Sequence, residues 1–156
     1  MIQDANAVFS GSISAAGVVA GQTVTGTDTT VLSTNTYDLG VARDVGKGES
    51  LNIAIEVITA ASGGTSVQFQ LIEADDAALT SNVKIINETG AIPVASLTIN
   101  KQFNMPVGRV DPNAAKRYLG IRYALVGAVA AGAYFAALTK DAQDPDTYYA
   151  SGFSVL

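Results

Sequence analysis

The side chains that could carry chemistry in this chain are carboxylates, and they fall into two clusters. The first is Glu73, Asp75 and Asp76, and the second is Asp141, Asp144 and Asp146. Paired carboxylates can hold a cation or act as the acid and base of a glycosidase. The first cluster follows an apolar run and is interpreted as a solvated turn. The second lacks the glycine and the terminal glutamate of a calcium-binding loop.

Other catalytic groups are scarce. The chain contains no histidine and no cysteine, which excludes a Ser-His triad, a thiolate metal site and a disulfide framework. Residues 46–50 (Gly-Lys-Gly-Glu-Ser) have neither the spacing of a phosphate-binding loop nor a helix after them. We therefore expect a protein that is not an enzyme and that binds no metal and no cofactor. A two-carboxylate glycosidase stays open as a rival.

Charge and hydropathy limit the partners. The 156 residues have a net charge of −5 and 15% charged residues, and the nine basic residues are scattered. Nucleic-acid binding needs clustered Lys and Arg, so it is not expected. No apolar run approaches the roughly 18 residues of a membrane span. Residues 1–10 lack the basic start and apolar centre of a signal peptide, so we expect synthesis in the cytoplasm.

The elements that would position these groups are strands. In residues 117–126, Leu119, Ile121, Tyr123 and Leu125 alternate with more polar positions, which indicates a half-buried strand. Residues 50–59 and 65–74 alternate in the same way and are predicted to pair as an antiparallel hairpin across Gly63 and Gly64. A second hairpin is predicted across the apolar bend of residues 127–132. Seven or eight short strands predict a single all-β domain over residues 1–156, a two-sheet antiparallel sandwich.

Three segments are predicted to contact partners. Residues 1–34 contain few bulky side chains and are predicted to hold an extended N-terminal arm, either disordered or ordered by a neighbour, and the first short strands, at Val18-Val19 and Val24. The apolar bend at residues 126–133 is expected to press against another surface. Residues 141–156 are interpreted as a C-terminal docking tail or as a last strand on the chain's own core. The predicted contact residues are Val8, Phe9, Val126, Val129, Tyr148, Tyr149 and Phe153.

Several motifs resemble one family. Residues 36–51 (Thr-Tyr-Asp-Leu-Gly-Val-Ala-Arg-Asp-Val-Gly-Lys-Gly-Glu-Ser-Leu) are similar to a segment of the capsid cement, or decoration, proteins of tailed bacteriophages, of the kind known from a short-tailed Bordetella phage. Ile92-Pro93 with Leu97, residues 116–123 and the opening residues 1–10 are similar to further parts of those proteins. The resemblance implies a sandwich of the jelly-roll type with extended N-terminal and C-terminal arms.

The same resemblance implies a structural virion protein on the outer capsid surface. Its partners would be the major capsid protein and a second copy of itself, because cement proteins clamp neighbouring capsid subunits and are typically dimers. An alternative from another class is a carbohydrate-binding sandwich, which would place Tyr118, Tyr148 and Tyr149 against sugar rings.

Overall fold

The computed structural model describes residues 7–42, 51–108 and 115–140, and these residues are almost entirely β-structure. Within them, no helix is long and apolar enough to cross a membrane. One 3-10 helix spans Val94–Ser96. The strands are β1 (Val8–Ser10), β2 (Ser12–Ile13), β3 (Val19–Ala20), β4 (Gln22–Thr23), β5 (Gly26–Thr27), β6 (Thr30–Leu32), β7 (Tyr37–Asp38), β8 (Asn52–Gly63), β9 (Ser66–Ala74), β10 (Lys84–Pro93), β11 (Gln102–Pro106), β12 (Tyr118–Val126) and β13 (Ala128–Thr139).

Two antiparallel sheets form the body. The first has the order β1-β13-β8-β11, with β4 and β5 also paired to β13, and the second has the order β10-β9-β12-β6, with β7 also paired to β12. The register of the first sheet places Ile53 opposite Leu138 and Met105. In the second sheet Tyr123 lies opposite Phe69. The prediction of a two-sheet antiparallel sandwich is confirmed.

The core lies between the sheets and follows the period of two. Leu119, Ile121, Tyr123 and Leu125 are all buried, as their alternation predicts. Phe69 forms edge-on contacts with Tyr123 and Tyr134, at centroid distances of 5.5 and 5.0 Å. These contacts join both sheets, because Phe69 and Tyr123 belong to the second sheet and Tyr134 to the first. Such aromatic pairs contribute more than their buried area alone.

The two predicted hairpins are wrong. Strands β8 and β9 lie in different sheets, and so do β12 and β13. At Gly63-Gly64 and at Gly127 the chain turns and passes to the other sheet, so the next strand does not pair with the strand before it. The predicted apolar bend of residues 127–132 is also shorter than expected, because β13 already begins at Ala128. A turn signal marks where a chain reverses but does not specify which sheet the next strand joins.

Residues 7–34 form short strands, as predicted for part of this segment, but most of these strands pair with the two main sheets instead of extending as an arm. Strands β1, β4 and β5 pair with β13, and β6 pairs with β12. The backbone N–H of Asn35 donates to Phe9 O at 2.9 Å, and Val24 is fully buried. The physical reason is that β12 and β13 would otherwise present unpaired backbone groups at their outer edges. The predicted C-terminal tail, residues 141–156, lies outside the described residues.

Candidate interaction surfaces

Large apolar side chains are exposed at several separate places on the described part of the chain. Val126 is 49% exposed, and Ile85 is 41% exposed on β10. The others are Val18, Tyr37, Val41 and Ile99. Single exposed apolar residues are normal, so what matters is which of them lies in a surface that also lacks charge.

Of the predicted contact residues within the described part, only Val126 lies at the surface. Val8, Phe9 and Val129 are buried, with 6%, 1% and 2% of their surface exposed, so their assignment as partner contacts is corrected here. Val8 packs with Phe135 under the β2–β3 hairpin, and Phe9 and Val129 belong to the main core. Tyr148, Tyr149 and Phe153 fall outside the described residues, and so do Asp141, Asp144 and Asp146.

The surface around Val126 is formed where the two sheet-crossing turns meet. Gly63, Gly64 and Gly127 all have positive φ, at 69°, 66° and 76°. A Cβ at Gly63 would lie 2.5 Å from the carbonyl oxygen of Ala128, so the two turns are in direct contact. These turns need glycine for both reasons, the left-handed backbone and the close approach.

Hydrogen bonds fix two further segments to this turn pair. The N–H of Thr65 donates to Val126 O at 2.7 Å, and the N–H of Val94 donates to Thr65 O at 3.1 Å. On the other side, the N–H of Gly127 donates to the Asp28 carboxylate at 2.7 Å, and the N–H of Asp28 donates back to Gly127 O at 3.3 Å. Four segments are therefore held together at one end of the sandwich. We call residues 26–29, 62–66, 93–96 and 126–130 the corner end.

The outer face of the second sheet is polar and internally connected. Arg122 on β12 donates through Nε to Gln70 Oε1 at 2.7 Å, and Gln70 donates through Nε2 to Glu88 Oε2 at 2.9 Å. These residues lie on three neighbouring strands, so the chain of hydrogen bonds runs across the sheet. The more polar positions of β12 therefore lie on the outer face of the sheet, and Arg122 and Glu88 on this face are hydrogen-bonded within the molecule.

The opposite end of the sandwich carries a bidentate ion pair. Arg117 donates through Nε and Nη2 to the two oxygens of Asp38, at 2.7 and 2.8 Å, and joins β7 to β12. These bonds, with a further one from the Gly40 N–H, lower the pKa of Asp38 to about 2. Arg117 also lies 5.0 Å from the ring centre of Tyr118, which is half-buried. A pair between strands distant in sequence fixes the position of β7.

The members of the first acidic cluster, Glu73, Asp75 and Asp76, each bond to different groups of the chain. Asp76 accepts hydrogen bonds from the N–H of Ser81 and from the hydroxyl and N–H of Thr80, which lower its pKa and close a turn. Asp75 pairs with Lys116 at 3.0 Å. Its pKa is lowered by its hydrogen bond from Asn82 and then by Lys116. Within the described residues, no group of three or more acidic, His or Cys side chains has the arrangement of a metal site.

Glu73, the third acid of that cluster, is a buried carboxylate. Only 1% of its surface is exposed. Its Oε2 accepts the Lys116 N–H at 3.1 Å, and Lys84 Nζ lies 3.8 Å from Oε1. The three acids therefore do not converge on a common point, and each contributes to holding the turn after β9 or the start of β12.

The sequence comparisons place the chain in a family. A search of curated proteins found no match. A scan of family models matches Bbp16 over residues 18–138, which is more than half of the chain. The matched range contains nearly all of the two sheets described above. The chain therefore belongs to the Bbp16 family, a family associated with Bordetella phage.

Proposed function

We propose that this protein is a capsid cement protein, which binds the outside of a phage head and stabilises the contacts between major capsid subunits. The observation that carries the proposal is the family match over residues 18–138. The matched range includes residues 36–51 and residues 116–123, two of the segments that resemble cement proteins. A protein with this task needs a rigid body and a contact surface, and it needs no catalytic group.

We also infer that the sandwich is of the jelly-roll type. The connections from β8 to β9 and from β12 to β13 each cross from one sheet to the other. Only β9 and β10, among the long consecutive strands, pair directly with each other. Alternation of consecutive strands between two sheets is the consequence of rolling up a long antiparallel ribbon, which is how a jelly roll is built.

The partners in this proposal are the major capsid protein and a second copy of the chain, and the location is the outer surface of the virion. The energetic argument is mass action. A protein that binds the assembled shell and not the separated subunits stabilises the shell, by about 2.7 kcal/mol per site at a concentration 100 times the Kd. Neither nucleic acid nor a membrane has a place in this role.

The test is an add-back experiment with heads that lack the protein. Purified protein is mixed with such heads, and the melting temperature of the heads is measured by light scattering at increasing protein concentration. We expect the melting temperature to rise and then saturate as the sites fill. Unchanged melting at saturating protein would contradict the proposal. Binding to a glycan array without any affinity for heads would favour the carbohydrate-binding alternative.

A further inference from the structure

The corner end is almost without charge. Its four segments contain one charged residue, Asp28, and that carboxylate accepts the Gly127 N–H at 2.7 Å. The charge-free region extends further along the chain, since residues 57–72, 89–100 and 123–139 contain no Asp, Glu, Lys or Arg. An ordinary soluble surface has roughly a quarter to a third of its residues charged. The corner end is therefore unlike a surface that faces only water.

Apart from Asp28, the exposed residues of the corner end are small or apolar. They are Thr27, Thr29, Ser62, Gly63, Gly64, Thr65, Pro93, Ala95, Ser96, Val126, Ala128 and Ala130. Short side chains lose little conformational entropy when they are covered. The backbone beneath them is already fixed by the glycine turns and the hydrogen bonds of Thr65. A partner would therefore meet a preformed surface, which lowers the cost of association.

Several charged side chains elsewhere in the described part of the chain already bond within it. Arg117 pairs with Asp38, Lys116 pairs with Asp75, and Arg122 donates a hydrogen bond to Gln70 on the outer face of the second sheet. A partner that approached these groups would have to compete with bonds that already exist. At the corner end such competition is confined to Asp28.

We propose that the corner end is the face that seats on the assembled shell, against a surface of the shell that is itself uncharged and apolar. This inference rests on the proposed function. An uncharged face favours an uncharged partner. If it covered a charged surface, the charges there would lose their water and gain no ion pairs in exchange. It also places the charged remainder of a chain of net charge −5 towards solvent, where the charge keeps decorated heads apart.

The shell is a better occupant than a second copy. If two copies covered each other's corner ends, the pair would present to the shell other parts of the described surface, where Lys116, Arg117 and Arg122 already bond within the chain. The corner end would then be unavailable to the shell, which every copy must bind in the proposed function.

The experiment compares two matched variants in binding to heads that lack the protein. Val126→Asp introduces a charge at the corner end, and Ile85→Asp introduces the same charge on β10, at a similarly exposed strand position of the same sheet but outside the corner end. Binding is measured by co-sedimentation, the oligomeric state by light scattering and the fold by thermal melting. We expect Val126→Asp to weaken head binding by about tenfold or more, with an unchanged oligomeric state. Ile85→Asp is expected to bind as the wild-type protein does.

Salt dependence provides an independent measurement. Binding through an uncharged face is expected to change by less than about threefold between roughly 50 and 500 mM salt, since screening acts on charges. Equal binding by Val126→Asp and wild type, or a large loss of wild-type binding in high salt, would overturn the inference while the proposed function stood. Loss of self-association in Val126→Asp would assign the face to a second copy and also overturn it. If the wild-type protein does not bind heads, the proposed function itself fails.

Discussion

The contact between the two sheet-crossing turns makes a quantitative prediction at Gly63. Its φ is 69°, and an added Cβ would lie 2.5 Å from Ala128 O and 3.1 Å from the backbone nitrogen of Ala130. These atoms belong to the backbone of β13 and cannot rotate away. Gly90 has nearly the same φ, 73°, yet an added Cβ there meets nothing within 4 Å. Substitution of Gly90 by alanine therefore measures the backbone strain alone, whereas the same substitution at Gly63 measures the strain and the steric clash together.

The expected magnitudes follow from those geometries. An L-residue in the left-handed region costs about 1–2 kcal/mol, and the change from glycine recovers about 0.4–1 kcal/mol by restricting the unfolded chain. Gly90→Ala is therefore expected to lower the free energy of unfolding by roughly 1 kcal/mol. Gly63→Ala adds an overpacking term of about 1–3 kcal/mol. For a domain of this size, that difference lowers Tm by a further ~2–12 °C.

Urea unfolding of both variants, followed by circular dichroism, measures the free energies, and thermal melting provides Tm. The m-value should stay the same as that of the wild-type protein, since neither change alters the surface exposed on unfolding. Equal destabilisation by Gly63→Ala and Gly90→Ala would refute the close packing of the two turns, and with it the fixed geometry of the corner end.

Two further predictions concern a buried hydroxyl and an exposed ion pair. The Tyr123 hydroxyl bonds to Ser10 Oγ at 2.7 Å, whereas no described residue bonds to the buried Tyr134 hydroxyl. Tyr123→Phe should therefore lower the free energy of unfolding by about 1–2 kcal/mol, and Tyr134→Phe should leave it unchanged or raise it. Urea unfolding measures both, and a larger loss for Tyr134→Phe would be inconsistent with this packing. The pKa of Asp38 is lowered from 3.8 to about 2, mainly by its hydrogen bonds from Arg117. Its contribution to stability is then present above about pH 4 and is lost as the pH falls through about 2. Any Tm difference between the wild-type protein and Asp38→Asn at about pH 5 should disappear near pH 1.5, and a difference that persists there would exclude the ion pair as its source.

The sequence was sufficient to predict which face of β8 and of β12 is buried. The alternation of Leu119, Ile121, Tyr123 and Leu125 and that of Ile53, Ile55 and Val57 agree with the structure. Pro106 lies on β11, the last strand of its sheet, where the missing N–H of proline is tolerated. Periodicity succeeds here because it reports a local property, the direction in which successive side chains point.

Sheet membership could not be predicted in this way. The glycines at 63–64 and 127 mark reversals, and a reversal is compatible with a hairpin or with a crossing between sheets. In the structure both reversals are crossings between sheets. This arrangement allows β8 and β13 to pair with each other along nearly their whole length. The pairing of the N-terminal strands could not be predicted for a similar reason. These strands are two or three residues long, too short for periodicity, and β1, β4 and β6 pair with strands more than 80 residues away.

The contact residues were predicted from apolarity, and this criterion was unsuitable. Val8, Phe9 and Val129 are apolar because they are buried in the chain's own core. A signal for the corner end was present in the sequence as the three charge-free runs, at 57–72, 89–100 and 123–139. Its meaning depends on the fold, because only the sheet crossings bring parts of these runs to the same end.

The most direct test of the central claim is electron cryomicroscopy of heads that lack the protein, imaged before and after adding it. We expect added density on the outer surface, into which the two-sheet body fits, touching more than one capsid subunit. The corner end with Val126 should face the shell. Density confined to a single subunit, or heads that look the same with and without the protein, would contradict a cementing role.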